Sequence, residues 1–144
     1  MAASLIAGLI DDGWDPGRIS VSEPDRSQQQ HLGTRLGVHV TQDNNEVAQR
    51  GATVVFCVKP QIMATVVRGV ASTLRVRHPQ PLIVSIAAGV REPDIRRWLN
   101  YDAAVVRAMP NTPALVRSGA AALYANAFVS ELQRNQAESI LRAV

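Results

Sequence analysis

Short stops of proline, glycine, lysine, asparagine and small residues follow three apolar, β-branched runs of this sequence. The stops are Lys59-Pro60, Ala87-Ala88-Gly89 and Pro110-Asn111-Thr112-Pro113, and the runs before them are typical of buried strands. When parallel strands end in this way, their stops share one edge of the sheet, which is where open α/β sheets bind ligands. Small residues at that edge let a flat ligand lie against the backbone. The pattern therefore predicts a cleft for a nucleotide or a cofactor.

Four single residues beside these stops are candidates for chemistry, and each has a plainer alternative. Lys59 is the only lysine, and its place between a buried strand and Pro60 favours a role in the cleft over an ordinary surface position. Cys57 lies in an apolar run, which favours a small buried hydrophobe over a catalytic thiol. Arg107 is expected to pair with a carboxylate. Asn111 can equally hold its turn together through side-chain hydrogen bonds to the backbone.

The histidines and tryptophans carry weaker signals. His31, His39 and His78 have no metal-ligand spacing, so we expect them at the surface and predict no metal site. Trp14 and Trp98 are expected in the core rather than as stacking platforms for a ligand.

Composition restricts the class of protein. The 144 residues are 47% hydrophobic and 19% charged, which is typical of one globular domain. No apolar run is long enough to span a bilayer, and the start of the chain lacks a signal-peptide pattern. A single cysteine suits a reducing compartment, so we expect a cytoplasmic protein. The net charge of +3 is spread over scattered arginines and aromatic residues make up only 4%, so a small phosphorylated ligand is favoured over nucleic acid or a membrane.

Helices and strands alternate along the chain. We predict helices over residues 2–12, 27–36, 43–50, 61–74, 92–99 and from 130 onward, and strands over 18–22, 38–40, 53–58, 82–86, 104–109 and 119–125. Asp43 and Ser130 are the predicted N-caps of their helices. The inner face of helix 61–74 is assigned to Ile62, Val66, Val67, Val70 and Leu74. This order predicts an α/β fold, a doubly wound, Rossmann-like parallel sheet with helices on both faces.

One expected element of such a fold is missing. Dinucleotide-binding folds open with a strand and a Gly-x-Gly-x-x-Gly/Ala turn, whereas this chain begins with a helix and contains no such turn before a helix. Either the fold is a different one, or its first strand and glycine turn are missing. In the common strand order, that strand would lie between the strands at Ile19 and Val54.

Four blocks of the sequence support a family resemblance. They are Met1-Ala-Ala-Ser-Leu-Ile-Ala-Gly-Leu-Ile10, Cys57-Val-Lys-Pro-Gln61, Val84-Ser-Ile-Ala-Ala-Gly-Val90 and Val106-Arg-Ala-Met-Pro-Asn-Thr-Pro-Ala-Leu115. In this order and spacing they resemble the N-terminal domain of pyrroline-5-carboxylate reductase, and the resemblance covers nearly the whole chain. Leu123-Tyr-Ala-Asn126 and the last helix fit as well.

The resemblance implies a function and a set of site residues. The family reduces 1-pyrroline-5-carboxylate to L-proline with NADPH or NADH, the last step of proline biosynthesis, by hydride transfer to the imine carbon. No catalytic side chain is assigned, and Asn111, Thr112 and Pro113 would lie near the nicotinamide and the substrate. The positions that would contact the cofactor are Met1 and Ala2 (the remains of the glycine turn), Glu23, Asp25 and Arg26 beside the adenine ribose, Asn44 near the adenosine, and Cys57, Val58, Lys59, Pro60, Ile86, Ala87 and Ala88 along the dinucleotide.

Cofactor preference is left open by the residues themselves. Arg26 suits the 2′-phosphate of NADP, whereas Glu23 and Asp25 suit a free ribose hydroxyl. Family habit places NADP ahead of NAD.

The family pattern also predicts what kind of piece the chain is. We expect residues 1–144 to be an NAD(P)-binding domain without its first strand and without the family's C-terminal helical dimerisation domain. On this expectation the chain alone has little activity, and the full-length protein is a homo-oligomer. Two alternatives remain: a non-catalytic nucleotide-binding or regulatory protein on the same domain, and a reductase of another imine or ketone, which the Pro-Asn-Thr-Pro block disfavours.

Overall fold

The computed structural model describes residues 1–110 and 121–143, and the predicted nicotinamide-proximal residues Asn111, Thr112 and Pro113 lie outside them. Helices and strands alternate over this part of the chain. The helices are α1 (Ala2–Asp11), α2 (Arg26–Leu36), α3 (Asn44–Arg50), α4 (Pro60–Arg75), α5 (Glu92–Leu99) and α6 (Glu131–Leu141), with a short 3₁₀ helix at Pro16–Arg18. The strands are β1 (Ser20–Ser22), β2 (His39–Thr41), β3 (Thr53–Phe56), β4 (Leu82–Ser85), β5 (Val105–Pro110) and β6 (Ala121–Ala125).

The described strands form two sheets. β1 and β2 pair in parallel in a small sheet, and β3, β4, β5 and β6 follow one another in a larger one. The β3–β4 and β4–β5 pairs are parallel, so the α/β fold predicted from the sequence is confirmed. Among the described residues, β1 pairs only with β2, and β3 pairs only with β4.

The last strand runs against the parallel direction of the other strands in the larger sheet. β6 pairs antiparallel with β5, with Pro110 opposite Ala121 and Val106 opposite Ala125. A chain that returns directly beside the preceding strand runs antiparallel, because a parallel partner needs a crossover of a dozen or more residues.

Helices cover both faces of the larger sheet. On one face, α3, α4 and α5 pack on alternate residues of the strands, including Phe56, Ile83 and Val105. On the other face, α6 packs on Leu82, Val84 and their neighbours. Helix α1 lies beside α6, where Leu5 and Leu9 meet Ile140 and the half-buried Val55.

Three predictions about burial are wrong. Ile62 is 50% exposed and Met63 is fully buried, because the buried stripe of α4 is Met63, Val67, Val70 and Leu74. Trp14 lies at the surface, since it follows α1 in the loop before the 3₁₀ helix. Strand β3 is buried only at alternate positions, because it is the edge strand of the larger sheet. Trp98, by contrast, packs against the core as predicted.

Both predicted helix caps are present. The carboxylate of Asp43 accepts a hydrogen bond from the backbone N–H of Asn45, 2.8 Å away. Ser130 and Gln133 bond each other's backbone N–H groups and form a capping box at the start of α6. None of the helices that the structure describes is long and apolar enough to cross a membrane.

Candidate functional site

The carboxyl ends of β3 and β4 lie side by side, and β5 continues for three residues beyond them. In the register of the sheet, Phe56 pairs with Ser85 and Ser85 with Arg107, so β3 and β4 end at the same level. The backbone N–H of Ile86 still bonds the carbonyl oxygen of Phe56 at 3.2 Å. The predicted stops after β3 and β4 are therefore neighbours at one edge of the sheet.

The β3 stop leads directly into the longest helix. Lys59 occupies the N-cap of α4, and Pro60 is its first residue. The Lys59 side chain makes no capping hydrogen bond and is exposed, so its ammonium group is free to meet an anion at this edge. The first turn of α4 follows directly, and the free backbone N–H groups of a helix N-terminus favour negative charge.

Cys57 is placed as a structural residue. It packs against the cluster that joins α1 and α6, and burial raises the pKa of its thiol to about 11. The group is a neutral thiol at physiological pH, so it is a poor nucleophile, as predicted. The ammonium group of Met1 opposes this shift, which places the start of α1 close to the end of β3.

The β4 stop exposes backbone. The N–H of Ala87 bonds the hydroxyl oxygen of Ser85 at 3.3 Å, which bends the chain away from the sheet. Ala88 is exposed and Gly89 has φ of +73°, a conformation that L side chains rarely adopt. Small residues thus leave the backbone accessible where a flat ligand would lie.

The turn after β1 carries charged side chains, some of which are already hydrogen-bonded within the turn. Asp25 caps α2, and its Oδ1 accepts hydrogen bonds from the Ser27 hydroxyl at 2.6 Å and the Gln28 N–H at 2.9 Å. These bonds, the Ser27 one first, lower the pKa of the Asp25 carboxyl. Glu23 accepts from the Asp25 N–H at 3.0 Å. Arg26, at the first position of α2, is exposed and makes no ion pair with a described residue.

In the turn after β2, one of two neighbouring asparagines is likewise hydrogen-bonded within the fold and the other is exposed. Asn45 accepts a hydrogen bond from the Thr73 hydroxyl of α4 at 2.5 Å, so its amide is used by the fold. Asn44, beside it, is exposed and hydrogen-bonds none of the described side chains. The Glu46 carboxylate accepts from Thr41 and contacts His39, at 2.7 and 2.6 Å, which lowers its pKa. His39 is therefore half-exposed rather than fully at the surface.

A buried polar group was missed by the sequence interpretation. Asn126 accepts hydrogen bonds from the N–H groups of Val105 and Phe128 and donates to Glu92 at 2.7 Å. It also bonds the carbonyl oxygen of Ala103, so it fixes the beginning of β5. The signal available was a lone asparagine directly after a strand, which does not reveal its partners.

The described surface depressions lie away from this edge of the sheet. One lies between the end of β6 and α6, around Asn126 and Arg134, and the other beside α5, around Arg96 and Tyr101. Both are at the amino end of β5, since Asn126 bonds residues that begin that strand. Among residues 1–110 and 121–143, no three His, Cys, Asp or Glu side chains come together in a way that could hold a metal.

A parallel-dominated sheet, covered by helices on both faces and ending in accessible small-residue turns, defines a Rossmann-like nucleotide-binding fold. The chain belongs to the family described as "NADP oxidoreductase coenzyme F420-dependent", whose family model matches residues 1–89.

Matches to individual proteins point to a narrower class of enzyme than the family model does. The chain is 44% identical over 144 residues to a pyrroline-5-carboxylate reductase of Pseudomonas aeruginosa, covering all of this chain and 52% of that protein. The structure of a pyrroline-5-carboxylate reductase from Coxiella burnetii matches 99% of this chain and 52% of its own, with TM-score 0.95 and 41% identity. The pyrroline carboxylate reductase of Plasmodium falciparum with NADP bound shares the fold, with TM-score 0.82 and 20% identity, over 98% of this chain and 50% of its own.

These comparisons confirm the predicted resemblance to pyrroline-5-carboxylate reductase. The chain spans about half the length of the curated relatives it matches.

Proposed function

We propose that this chain supplies the NAD(P)H-binding part of a pyrroline-5-carboxylate reductase. In that reaction the nicotinamide gives a hydride to the imine carbon and a proton joins the ring nitrogen, so 1-pyrroline-5-carboxylate becomes L-proline and NAD(P)H is oxidised. Support comes from relatives that are 41–44% identical over practically the whole chain. Residues 1–144 are the cofactor domain in this proposal.

The single observation that carries the proposal is the alignment of the β3 and β4 exits. The register brings Cys57–Pro60 and Ile86–Ala88 next to each other, with accessible backbone and a lysine that forms no ion pair with a described residue at the same edge. A dinucleotide needs such a surface, since its pyrophosphate takes backbone N–H groups and its rings lie flat on small residues.

A titration of the chain with NADPH and NADH, followed by tryptophan and NADPH fluorescence, tests cofactor binding. We expect saturable binding with a Kd in the micromolar range, about −8 kcal/mol. A linear response up to millimolar cofactor would contradict the proposal for this chain.

The reaction is tested by replacing the matching segment of the Pseudomonas aeruginosa reductase with residues 1–144. We expect this chimera to oxidise NADPH when 1-pyrroline-5-carboxylate is added, with L-proline as the product. A folded chimera that binds NADPH and makes no proline would instead support the alternative of a nucleotide-binding protein without turnover.

We further propose NADP over NAD as the cofactor, through Arg26. Its guanidinium forms no ion pair with a residue that the structure describes, whereas one oxygen each of Glu23 and Asp25 is already occupied by hydrogen bonds within the turn. Arg26→Ala should weaken NADPH binding roughly tenfold or more, since hydrogen bonds to charged groups are worth about 1.5–3 kcal/mol. NADH binding should be unchanged, and Arg35→Ala, at the other end of α2, is the control. Equal loss for both cofactors would rule out recognition of the 2′-phosphate.

Asn44 is the proposed contact to the adenosine, and Asn45 provides a matched comparison. Asn44→Ala should weaken both cofactors without lowering the melting temperature, because its side chain supports no described contact. Asn45→Ala should lower the melting temperature through the lost bond to Thr73. The reverse result would show that the two asparagines were assigned wrongly. The homo-oligomeric state and the cytoplasmic location stay predictions.

A further inference from the structure

The hairpin of β5 and β6 has one covered face and one open face. On the side of α6, Ala108 of β5 is only 1% exposed. The opposite side carries the next residues of β5 and their partners on β6, because alternate residues of a strand share a face and paired residues lie side by side. We call these residues the open hairpin face: Arg107, Met109, Ala122 and Tyr124. Met109 is 46% exposed and Tyr124 is 56% exposed, so this face lies largely in solvent.

Arg107 carries the charge of the open hairpin face, and this charge has no counter-charge among the described residues. Its Nε is buried and has no hydrogen-bond partner there, and its Nη2 contacts the Sδ of Met109 at 3.7 Å. All 12 Asp and Glu residues of the sequence belong to the described residues, and none of the ion pairs that the structure gives them includes Arg107. The prediction that Arg107 pairs with a carboxylate is thus not fulfilled by any described residue.

A guanidinium that is partly buried without a partner is costly, because it loses water without gaining an anion. The other half-buried arginines of the described residues are satisfied. Arg77 donates to two carbonyl oxygens, and Arg96 pairs with Glu92 and Asp102. The planar fork of an arginine fits the two oxygens of a carboxylate best. We therefore expect a carboxylate from outside this chain to meet Arg107.

The residues around Arg107 indicate a polypeptide partner rather than a small ligand. Small ligands bind in concave pockets, and neither of the two depressions described above is lined by a residue of the open hairpin face. Methionine, tyrosine and arginine are enriched at protein–protein interfaces. A second copy of this chain fits poorly, because a two-fold contact of this face with itself would bring two Arg107 side chains together, and the face holds no acidic residue.

We propose that the open hairpin face docks the part of the reductase that this chain does not span, and that an Asp or Glu of that part pairs with Arg107. The inference rests on the proposed function, in which residues 1–144 are the cofactor domain of a longer protein. The chain spans about half the length of the curated relatives it matches, so a further half of similar size would cover this face. Met109 and Tyr124 would then surround the ion pair and exclude water, which strengthens it. Arg107 is an interface residue and takes no part in hydride or proton transfer.

The test compares Arg107→Met in two proteins: this chain alone, and the chimera with the remainder of the Pseudomonas aeruginosa reductase. In the chain alone the variant removes an uncompensated charge, so the melting temperature should stay the same or rise. In the chimera it leaves the partner's carboxylate buried and unpaired, so the melting temperature should fall by about 5 °C or more. Arg75→Met, at an exposed arginine of α4, is the control and should change either melting temperature by less than about 2 °C.

Charge reversal identifies the partner residue. Arg107→Glu should destabilise the chimera more than Arg107→Met does, because it places two carboxylates together. One single Asp→Lys or Glu→Lys replacement in the added half should then restore the melting temperature or the folding of the Arg107→Glu chimera, which measures the coupling of the two positions. If no such replacement restores it, the proposed ion pair does not exist.

Other results also overturn the proposal. No change with Arg107→Met in the chimera would mean that no carboxylate meets this residue, and an equal loss in both proteins would mean that Arg107 supports the fold of this chain itself. Dimerisation of the chain alone that Arg107→Met abolishes would assign the face to a second copy. NADPH binding that the variant weakens would assign Arg107 to the cofactor's phosphates. An unmodified chimera that binds no NADPH would instead contradict the proposed function, so the two failures are distinguishable.

Discussion

The strands of the small β1–β2 sheet and of the larger β3–β6 sheet end in turns that are held by different physical means. All four residues of β4 are buried, whereas all three residues of β1 and all three of β2 are only half-buried. The turns after β1 and β2 are held by hydrogen bonds that the backbone N–H groups of Gln28 and Asn45 donate to the side chains of Asp25 and Asp43. The exits of β3 and β4 are held mainly by the buried strands before them.

In the proposed function, this difference would assign cofactor orientation to the larger sheet and cofactor preference to the turns of the small sheet. In the function proposed above, the more deeply buried larger sheet would offer a fixed backbone surface to the reacting part of the cofactor. Hydrogen-bonded polar turns keep their shape without a core, so exposed side chains such as Arg26 and Asn44 can change with little cost to the fold. Cofactor preference should therefore be easier to alter than cofactor orientation.

Removing core side chains from each sheet should break this comparison most visibly. Ile83→Ala deletes a fully buried side chain of β4 and should lower the free energy of unfolding by about 2–5 kcal/mol. Val21→Ala in half-buried β1 should cost about 1 kcal/mol, from roughly two buried methylene equivalents that are only partly shielded. Urea unfolding followed by circular dichroism measures both. Equal costs would mean that the two sheets share one core.

Two glycines sharpen the comparison at the helix layer. A Cβ added at Gly8 of α1 would overlap the backbone carbonyl oxygen of Ala143, whereas one added at Gly69 of α4 would meet nothing within 4 Å. Gly8→Ala should therefore destabilise by about 1–3 kcal/mol, the usual cost of overpacking. Gly69→Ala should stabilise by up to about 1 kcal/mol, because alanine is the better helix former. A stabilising Gly8→Ala would show that α1 and the end of α6 are not in close contact.

The smallest predicted effect on stability is that of acid on the turns of the small sheet. Hydrogen bonds from Ser27 and Gln28 to Asp25, and from Thr41 and His39 to Glu46, lower both pKa values from their ordinary 3.8 and 4.5. A carboxyl group whose pKa is lower in the folded state than in the unfolded state stabilises the fold at pH values above its unfolded-state pKa. This stabilisation is lost as the pH falls through the folded-state pKa. The melting temperature should therefore decrease as the pH is lowered below about 4.5. The double variant Asp25→Asn with Glu46→Gln should show a smaller decrease over the same pH range. An unchanged slope in the double variant would show that these carboxyls do not report the turns.

Local signals predicted the elements of this fold well. Helix α5 has the predicted bounds, and the Ser130 capping box forms, because caps and periodicity depend on residues three or four apart. In the buried stripe of α4, only the first member was wrong: Ile62 was predicted where Met63 is buried, since both are apolar and only the packing on the sheet distinguishes them. Strand β6 was found but not its direction, because direction depends on which strand is its neighbour.

The sequence by itself determined the order of elements, the positions of the strand stops, the inertness of Cys57 and the family. These depend on side-chain type and on spacing within one segment. Only the tertiary structure decided that Asn45 and Asp25 are used by the fold, while the side chains of Asn44 and Arg26 have no polar partner among residues 1–110 and 121–143. It alone paired Arg107 with Ser85 and Tyr124 across the sheet and showed that the buried Nε of Arg107 has no hydrogen-bond partner among the described residues. The reason is physical: whether a polar side chain is available to a ligand depends on partners distant in the chain, which the sheet register and helix packing bring into contact.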